Sequence, residues 1–223
     1  MIAPPERLPE RDAAILAMLP HVGFDGWTKR ALKAGAVEAG LSADDVDLLF
    51  PLGAADMIET YSDLADRRMQ EAAAELPEMK PSTRVRAAIV LRLEQNRPHK
   101  EAIRRALAVL ALPQNARIAG NCTARTIDSI WQAAGDQSTD FSWYTKRASL
   151  VLIFTATLLF WLRDASEDDA PTLAFLDRQL AGFARVRRLR GRAEGLLGRL
   201  PRPRLPGFRL PGMRIPRGVG DTG

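Results

Sequence analysis

The sequence predicts an all-α protein with a helix-turn-helix head, a body of antiparallel helices and a terminal amphipathic helix. Alanine, leucine, arginine and glutamate dominate the chain, whereas tyrosine and β-branched residues are sparse, a balance that favours helices over strands. Apolar residues recur at helical spacing and are interrupted by proline and glycine, the residues that commonly end helices.

The first third of the chain predicts the head. Its amphipathic stretches are separated by the turn HVGFDG and by Gly40, and Ser42 is placed as the N-cap of the segment ADDVDLLF. Pro51 ends that segment, and a longer helix follows. Residues 1–76 are therefore expected to form a helix-turn-helix module. Its helices are predicted over 11–19, 27–39, 43–50 and 52–75.

The segment LPEMKPST at 76–83 is the predicted boundary between head and body, because it contains two prolines and the N-cap candidate Ser82. Further helices are expected over 84–94, 98–112 and 114–134, each bounded by proline or glycine. Short connections between helices indicate antiparallel packing. The body is predicted to cover residues 82–170.

An apolar run, ASLVLIFTATLLFWL, covers residues 148–162 within the predicted body. A membrane-spanning helix needs about 20 apolar residues, so a run of 15 favours a helix buried on all sides. Such a helix is also suited to lining a lipid cavity. The candidate lipid-pocket residues are Leu152, Phe154, Leu158 and Trp161.

The C-terminal segment is strongly basic. Residues 178–223 contain twelve arginines and two acidic residues, so the rest of the chain is acidic although the whole carries +5. Apolar and basic residues fall on different faces of a helix predicted over 171–200, which is typical of a helix lying on an anionic membrane surface. Residues 201–223 repeat an arginine-proline unit and are predicted to be disordered. The expected membrane contacts are Leu176, Leu180, Phe183, Arg185, Val186, Arg188, Leu189 and Arg192.

The sequence contains no motif for catalysis. His21 and His99 are the only histidines and Cys122 is the only cysteine, so a metal site based on these residue types has too few ligands. Neither a glycine-rich nucleotide-binding pattern nor a nucleophile elbow is present. We therefore expect a protein that is not an enzyme and uses no metal or cofactor. The acidic, proline-containing N-terminus does not resemble a signal peptide, which favours a location inside the cell.

The predicted head raises an alternative function, that of a ligand-responsive transcription regulator. A recognition helix must offer hydrogen-bond donors to bases and cations to phosphates. The segment 43–50 instead contains Asp44, Asp45 and Asp47 and no basic residue. Sequence-specific nucleic-acid binding is therefore not expected, although basic residues of the preceding helix leave some non-specific affinity.

The motif GDQSTDFSWYTKR at 135–147 resembles a motif of the coenzyme Q (ubiquinone) biosynthesis protein 9 family. The similarity extends to FPLGAADMIETYSDLAD at 50–66 and to the apolar helix after the motif, so it covers most of residues 10–190. The resemblance implies a fold like that of TetR-family regulators without their DNA function. It also implies a lipid pocket in the C-terminal helices and a terminal amphipathic helix that docks on membrane.

The family resemblance further implies a non-catalytic protein that binds isoprenoid quinone intermediates or phospholipid and assists the di-iron hydroxylase of ubiquinone synthesis. It places Trp143 and Tyr144 at the contact with that hydroxylase. From the residues alone, the alternative is that this aromatic pair packs at a helix start capped by Asp140. We also expect a homodimer that is cytoplasmic and peripheral on the bacterial inner membrane, or on the equivalent matrix side. The remaining partner-binding candidates are Asp140, Arg147 and Ile130.

Overall fold

The computed structural model describes residues 2–40, 42–135 and 142–197, with side chains placed except at 43–45, 142–145 and 186–197. Every regular element in these ranges is helical, which confirms the predicted fold class. The chain divides into two compact units, Met1–Ala184 and Arg185–Gly223. The described α-helices are α1 (Pro9–Asp25), α2 (Lys29–Glu38), α3 (Ala43–Leu49), α4 (Ala54–Ala74), α5 (Pro81–Gln95), α6 (Lys100–Leu110), α7 (Ala116–Ala133), α8 (Ser142–Arg163) and α9 (Ala170–Leu197).

Helices α1, α2 and α3 form the predicted helix-turn-helix arrangement. Helix α1 continues through Pro20, where the sequence predicted its end, because buried Leu19 and Val22 on either side of the proline hold the helix against the core. Thr28 caps α2, since its hydroxyl accepts a hydrogen bond from the Ala31 amide at 3.3 Å. Ser42 occupies the N-cap position of α3 as predicted, but its hydroxyl makes no capping hydrogen bond.

A single apolar core runs from α1 to the first turns of α9. The indole of Trp27, between α1 and α2, packs against Tyr61 with ring centroids 5.6 Å apart and donates a hydrogen bond to the Ala102 carbonyl at 2.9 Å. Head residues therefore share their core with body residues. The boundary between head and body at 76–83 remains a prediction from the two prolines of that segment, and the apolar core is continuous across it.

Helix α4 carries a row of acidic residues that hold the N-terminal segment in place. The Arg7 guanidinium binds the Asp63 carboxylate through two hydrogen bonds of 2.9 and 2.8 Å. Arg11 is buried and pairs with Asp56 while also donating to the Thr60 hydroxyl at 2.9 Å. These pairs fix α1 and its preceding residues against α4.

Helix α8 begins six residues before the apolar run from which it was predicted. Asp164, just after α8, accepts hydrogen bonds from the side chain and backbone of both Ser166 and Thr172, which join the end of α8 to the start of α9. The stacked rings of Phe160 and Phe175, with centroids 4.6 Å apart, make a second link. None of the helices in the described ranges combines the length and apolar character needed to cross a membrane.

Candidate functional site

A cavity of about 310 Å³ lies among helices α4, α5, α6, α7 and α8. Most of its wall is apolar, and its size falls near the lower end of the range for small-molecule sites, about 300–1,000 Å³. The lining residues are Ile58, Tyr61, Ser62, Arg92, Leu93, Asn96, Ile103, Ala106, Leu107, Leu110, Ala111, Ala119, Cys122, Thr123, Thr126, Phe154, Leu158 and Trp161.

Three of the four predicted pocket residues line this cavity. Phe154, Leu158 and Trp161 follow one another at intervals of four and three residues, which places them on one face of α8. Leu152 does not line the cavity, and its side chain is 73% exposed. It precedes Phe154 by two positions, so it projects from nearly the opposite side of the helix.

The ring of Trp161 is fully buried and lies below the Lys100 ammonium group, which is 4.7 Å from the ring centroid. The Trp161 indole nitrogen has no hydrogen-bond partner among the described residues. This tryptophan therefore closes one side of the cavity as an apolar wall.

A polar strip interrupts the apolar wall where α4 meets the end of α5. The Tyr61 hydroxyl donates a hydrogen bond to Asn96 Oδ1, and the Asn96 amide nitrogen donates to the carbonyl of Arg92. Burial raises the pKa of Tyr61 to about 12, so the phenol remains protonated at neutral pH. Sequence reasoning missed this strip, because Tyr61 and Asn96 are 35 positions apart and no motif links them.

Arg92, the charged residue of the cavity wall, forms an ion pair with Asp66. Arg92 Nε donates to Asp66 Oδ1 at 3.0 Å, and the Thr126 hydroxyl lies 3.0 and 2.8 Å from the two carboxylate oxygens of Asp66. Burial raises the pKa of Asp66, whereas Arg92 and the Thr126 hydroxyl act to lower it. Burial also raises the pKa of the Cys122 thiol to about 11, which keeps it protonated.

Two predicted partner-binding residues have described side chains. Arg147 Nε donates to Asp128 Oδ1 at 2.6 Å and so connects α8 to α7. Ile130 is fully buried in the core, so its side chain is not part of the surface that a partner could touch. Its apolar character serves packing between α7 and neighbouring helices.

The first half of α9 differs from the predicted membrane-facing stripe. Leu176 is fully buried, and Leu180 and Phe183 are half-buried and pack against the core. Their side chains are apolar because they cover the body, so Leu176 is a core residue and not a membrane contact. Arg185 is exposed, as expected for a residue at a charged surface.

The other predicted site residues lie outside the described side chains. Trp143 and Tyr144 belong to the first turn of α8, and Val186, Arg188, Leu189 and Arg192 belong to the second half of α9. Asp140 and the arginine-proline tail at 201–223 lie outside the described residues. The roles assigned to these residues therefore stay predictions.

The charges of α2 and α3 bear on the DNA-binding alternative. Lys33 Nζ lies 2.8 Å and Lys29 Nζ 3.7 Å from the carboxylate oxygens of Asp47. The hydrogen bond from Lys33 lowers the pKa of Asp47. Because an α3 carboxylate binds both ammonium groups, they offer little attraction to a phosphate backbone.

No cluster of three or more histidine, cysteine, aspartate or glutamate side chains that could hold a metal ion occurs in the part of the chain that the structure describes. Cys122 is buried and its thiol is protonated, which does not favour nucleophilic chemistry.

A helix-turn-helix head joined to a helical body is a TetR-like fold. A crystal structure of a TetR transcriptional regulator from Nitrosomonas europaea matches with a TM-score of 0.64, covering 79% of this chain and 99% of that chain. At 23% identity this likeness shows the fold alone.

Within that class, relatives identify the family. The COQ9 family model matches residues 116–187. The mitochondrial ubiquinone biosynthesis protein COQ9 of Rattus norvegicus is 33% identical over 74% of this chain and 56% of its own length, and that of Homo sapiens is 32% identical over 74% and 55%. The chain belongs to the COQ9 family, which confirms the resemblance seen in the motif at 135–147. It spans about half the length of the curated relatives it matches.

Proposed function

We propose that this protein is a non-catalytic accessory protein of ubiquinone biosynthesis that binds a lipid in the cavity among α4–α8. Family membership supports the pathway, since the relatives are named as ubiquinone biosynthesis proteins. The observation that carries lipid binding is the cavity itself, a mainly apolar space of about 310 Å³ in the helical body.

The proposed mechanism is substrate presentation. Ubiquinone precursors carry long isoprenoid tails that partition into the bilayer, so an enzyme at the membrane surface needs help to reach the ring. A cavity of about 310 Å³ shelters part of such a lipid, while the basic second half of α9 holds the protein on an anionic membrane surface. The surface around Trp143 and Tyr144 then docks the di-iron hydroxylase of the pathway. The protein makes and breaks no bond in this scheme.

The cellular location and oligomeric state belong to the same proposal. The protein is peripheral on the cytoplasmic face of a bacterial inner membrane, or on the equivalent matrix side, and forms a homodimer. Light scattering of the purified protein tests the dimer, because the chain has a mass of 24.6 kDa and the dimer twice that.

The alternative function is a TetR-like ligand-responsive regulator, which the fold favours. The Asp47 ion pairs with Lys29 and Lys33 oppose it, because they place the negative charge of α3 beside the cations that would contact DNA. A sequence-specific, salt-dependent mobility shift of the DNA upstream of its own gene would support the regulator instead.

Mass spectrometry of lipid extracted from the purified protein tests the leading proposal. We expect isoprenoid quinone intermediates or phospholipid to copurify with the wild-type chain. Leu158→Trp should displace them, because the larger side chain fills the cavity. Leu152→Trp is the matched control, since Leu152 lies on the same helix but is exposed. Lipid retained equally by both variants would exclude this cavity as the binding site.

A further inference from the structure

We propose that the corner between α6 and α7, residues 107–120, is the entrance of the cavity and lies directly against the lipid bilayer. This inference rests on the proposed lipid-binding function and adds a membrane contact separate from that of α9. It is carried by the exposure of the cavity wall, by the way α6 is attached and by the composition of the α6–α7 corner.

The cavity wall is closed at one end and reaches the surface at the other. Where α5 and α8 end, the wall consists of buried side chains, with Asn96 3% exposed and Trp161 fully buried. Of all the wall residues, Ala111 in the α6–α7 corner is the only exposed one. Leu107 and Leu110, which precede it on α6, are partly buried. The wall is therefore open towards the corner.

The two halves of α6 are attached differently. In the first half, Arg104 Nη2 donates a hydrogen bond of 2.7 Å to the carbonyl of Leu162 at the end of α8, and a carbonyl of the first turn accepts from the Trp27 indole at 2.9 Å. In the second half, the carbonyl of Val109 accepts a hydrogen bond of 2.8 Å from the Asn115 amide, which belongs to the corner itself. The corner can thus move as a unit while the first half of α6 stays anchored, which suits an entrance.

The α6–α7 corner presents apolar and small side chains and lacks acidic ones. No aspartate or glutamate occurs from residue 102 to residue 127, although 27 of the 223 residues of the chain are acidic. An anionic bilayer therefore meets no carboxylate of this segment that would repel it. The contribution of the corner is apolar contact, whereas the arginines of α9 supply the attraction. The exposed residues of the corner are Ala108, Ala111, Leu112, Pro113, Gln114, Ala116, Arg117 and Gly120.

Leu112 lies at the rim of the opening, next to Ala111. A single exposed leucine is common on protein surfaces, but this one, 45% exposed, adjoins the point where the cavity wall reaches the surface. Moving apolar surface into water costs about 25 cal/mol per Å². A prenyl chain therefore enters the cavity at the lowest cost where the rim touches the bilayer and no water separates the two.

A fluorescent label at the rim tests the membrane contact in the full-length chain. Cys122 is buried, so acrylodan reacts selectively with an exposed cysteine introduced by Leu112→Cys. On vesicles of phosphatidylglycerol we expect the emission of this label to shift to shorter wavelength, because the dye enters an apolar environment. Val37→Cys is the control, since Val37 is an exposed apolar residue of α2, 65% exposed, in the head. Its label should show no shift.

Leu112→Asp tests the entrance. Phosphatidylglycerol vesicles hold nitrobenzoxadiazole-labelled geranylgeraniol quenched by a rhodamine lipid, and transfer to unlabelled vesicles is followed by the gain in fluorescence. We expect the wild-type chain to accelerate transfer and Leu112→Asp to reduce this acceleration roughly tenfold, because a carboxylate at the rim is repelled by anionic headgroups and keeps its hydration. Leu159→Asp is the control with the same net charge, since Leu159 is 50% exposed on α8 and does not line the cavity. Its transfer rate should equal that of the wild type.

Equilibrium dialysis of the wild-type chain with farnesol tests the proposed lipid binding without a bilayer. If farnesol binds but the label at position 112 does not shift, the corner does not contact the membrane, whether or not the protein cosediments with the vesicles. Equal transfer rates in the two aspartate variants would likewise overturn the entrance and leave lipid binding intact. If farnesol does not bind, the lipid-binding function fails and this inference fails with it. Circular dichroism shows whether the aspartate variants are folded, and the labelled variants decide the proposal if Leu112→Asp is not.

Discussion

Gly35 of α2 sets how closely α1 and α2 approach. A Cβ atom at this position would overlap the carbonyl of Ala17 and lie 2.6 Å from the backbone nitrogen of Met18. Because these are backbone atoms, α1 would have to move. We expect Gly35→Ala to lower the free energy of unfolding by about 1–3 kcal/mol, measured by urea denaturation.

Gly23 supplies the control for this prediction. It lies inside α1, and a Cβ there would meet nothing within 4 Å. Gly23→Ala should leave stability unchanged or raise it by up to about 1 kcal/mol, because alanine favours the helix. Equal losses in the two variants would show that α1 and α2 do not pack as closely as the structure places them.

Trp143 is the residue on which the hydroxylase contact can be tested. If it anchors that interface, Trp143→Ala should cost about 2 kcal/mol of binding, as truncated aromatic anchors commonly do. A pull-down of the purified hydroxylase measures the loss, and unchanged circular dichroism shows that the fold is intact. Leu159→Ala, at a half-exposed position on the same helix, is the control. Unchanged capture by the Trp143 variant would place the docking surface elsewhere.

Individual residues also show why sequence reasoning found only part of the site. Leu152 and Leu158 lie in one mainly apolar run without charged residues, so no charged face tells the lining side of the helix from its exposed side. Leu176 fits an amphipathic stripe equally well whether the stripe covers a core or a membrane. Only the position of the neighbouring helices decides between these environments.

At the scale of helices, the periodicity of the sequence predicted that the elements are helices and in which order they occur. It did not predict where each helix begins or ends, or which side chains of different helices form pairs. Helix α5 begins at Pro81, three residues before its predicted start, so Ser82 lies inside the helix and the prediction that it caps the helix was wrong. Pro20 lies inside α1 because tertiary packing compensates for the missing hydrogen bond. The Arg92–Asp66 pair joins residues 26 positions apart on two helices. Such ion pairs form when two helices pack together, so no local sequence pattern predicts them.

The connection between α8 and α9 gives a prediction on pH. Hydrogen bonds from Thr172 and Ser166 lower the pKa of Asp164 from its ordinary 3.8 to about 2. A carboxyl group with a lowered pKa in the folded state contributes stability above its unfolded pKa, and this contribution disappears as the pH falls through the folded value. The stabilisation should therefore be complete at pH 6 and be lost as the pH falls from about 4 to 2.

Asp164→Asn measures that contribution. At pH 6 we expect the melting temperature to fall by about 2–4 °C, the effect of roughly one net hydrogen bond in a chain of this size. The difference from wild type should shrink as the pH is lowered towards 2. Glu167→Gln, at an exposed neighbouring position, is the control. A difference in melting temperature that stays constant with pH would show that the charge of Asp164 does not stabilise the connection between α8 and α9.

At the scale of the whole molecule, the distribution of charge distinguishes a DNA-binding regulator from a membrane-associated accessory protein, two functions that the same fold could serve. The TetR-like arrangement is present, but the described cations of α2 are paired with carboxylates, and the basic surplus lies at the other end of the chain in residues 178–223. A DNA-binding relative needs its cations at the head. The location of the charge therefore favours an anionic membrane as the partner of the C-terminal segment.

This proposed membrane contact can be tested in the full-length chain by replacing three arginines of the segment with glutamine. Each basic residue near an anionic lipid surface contributes on the order of 1 kcal/mol, so cosedimentation with phosphatidylglycerol-containing liposomes should weaken at least tenfold. Binding of the wild-type chain should also weaken as salt is raised, because the attraction is screened. The residues to replace are Arg185, Arg188 and Arg192.

The control removes three positive charges from exposed positions in the first unit, Lys80, Arg117 and Arg163. Both variants then carry the same net charge, so a general electrostatic attraction would weaken both equally. Loss confined to the first variant would locate membrane binding in the second half of α9. Equal sedimentation of the two variants would instead mean that the arginines of α9 do not form a dedicated membrane surface, and the proposed substrate presentation would need another site of membrane attachment.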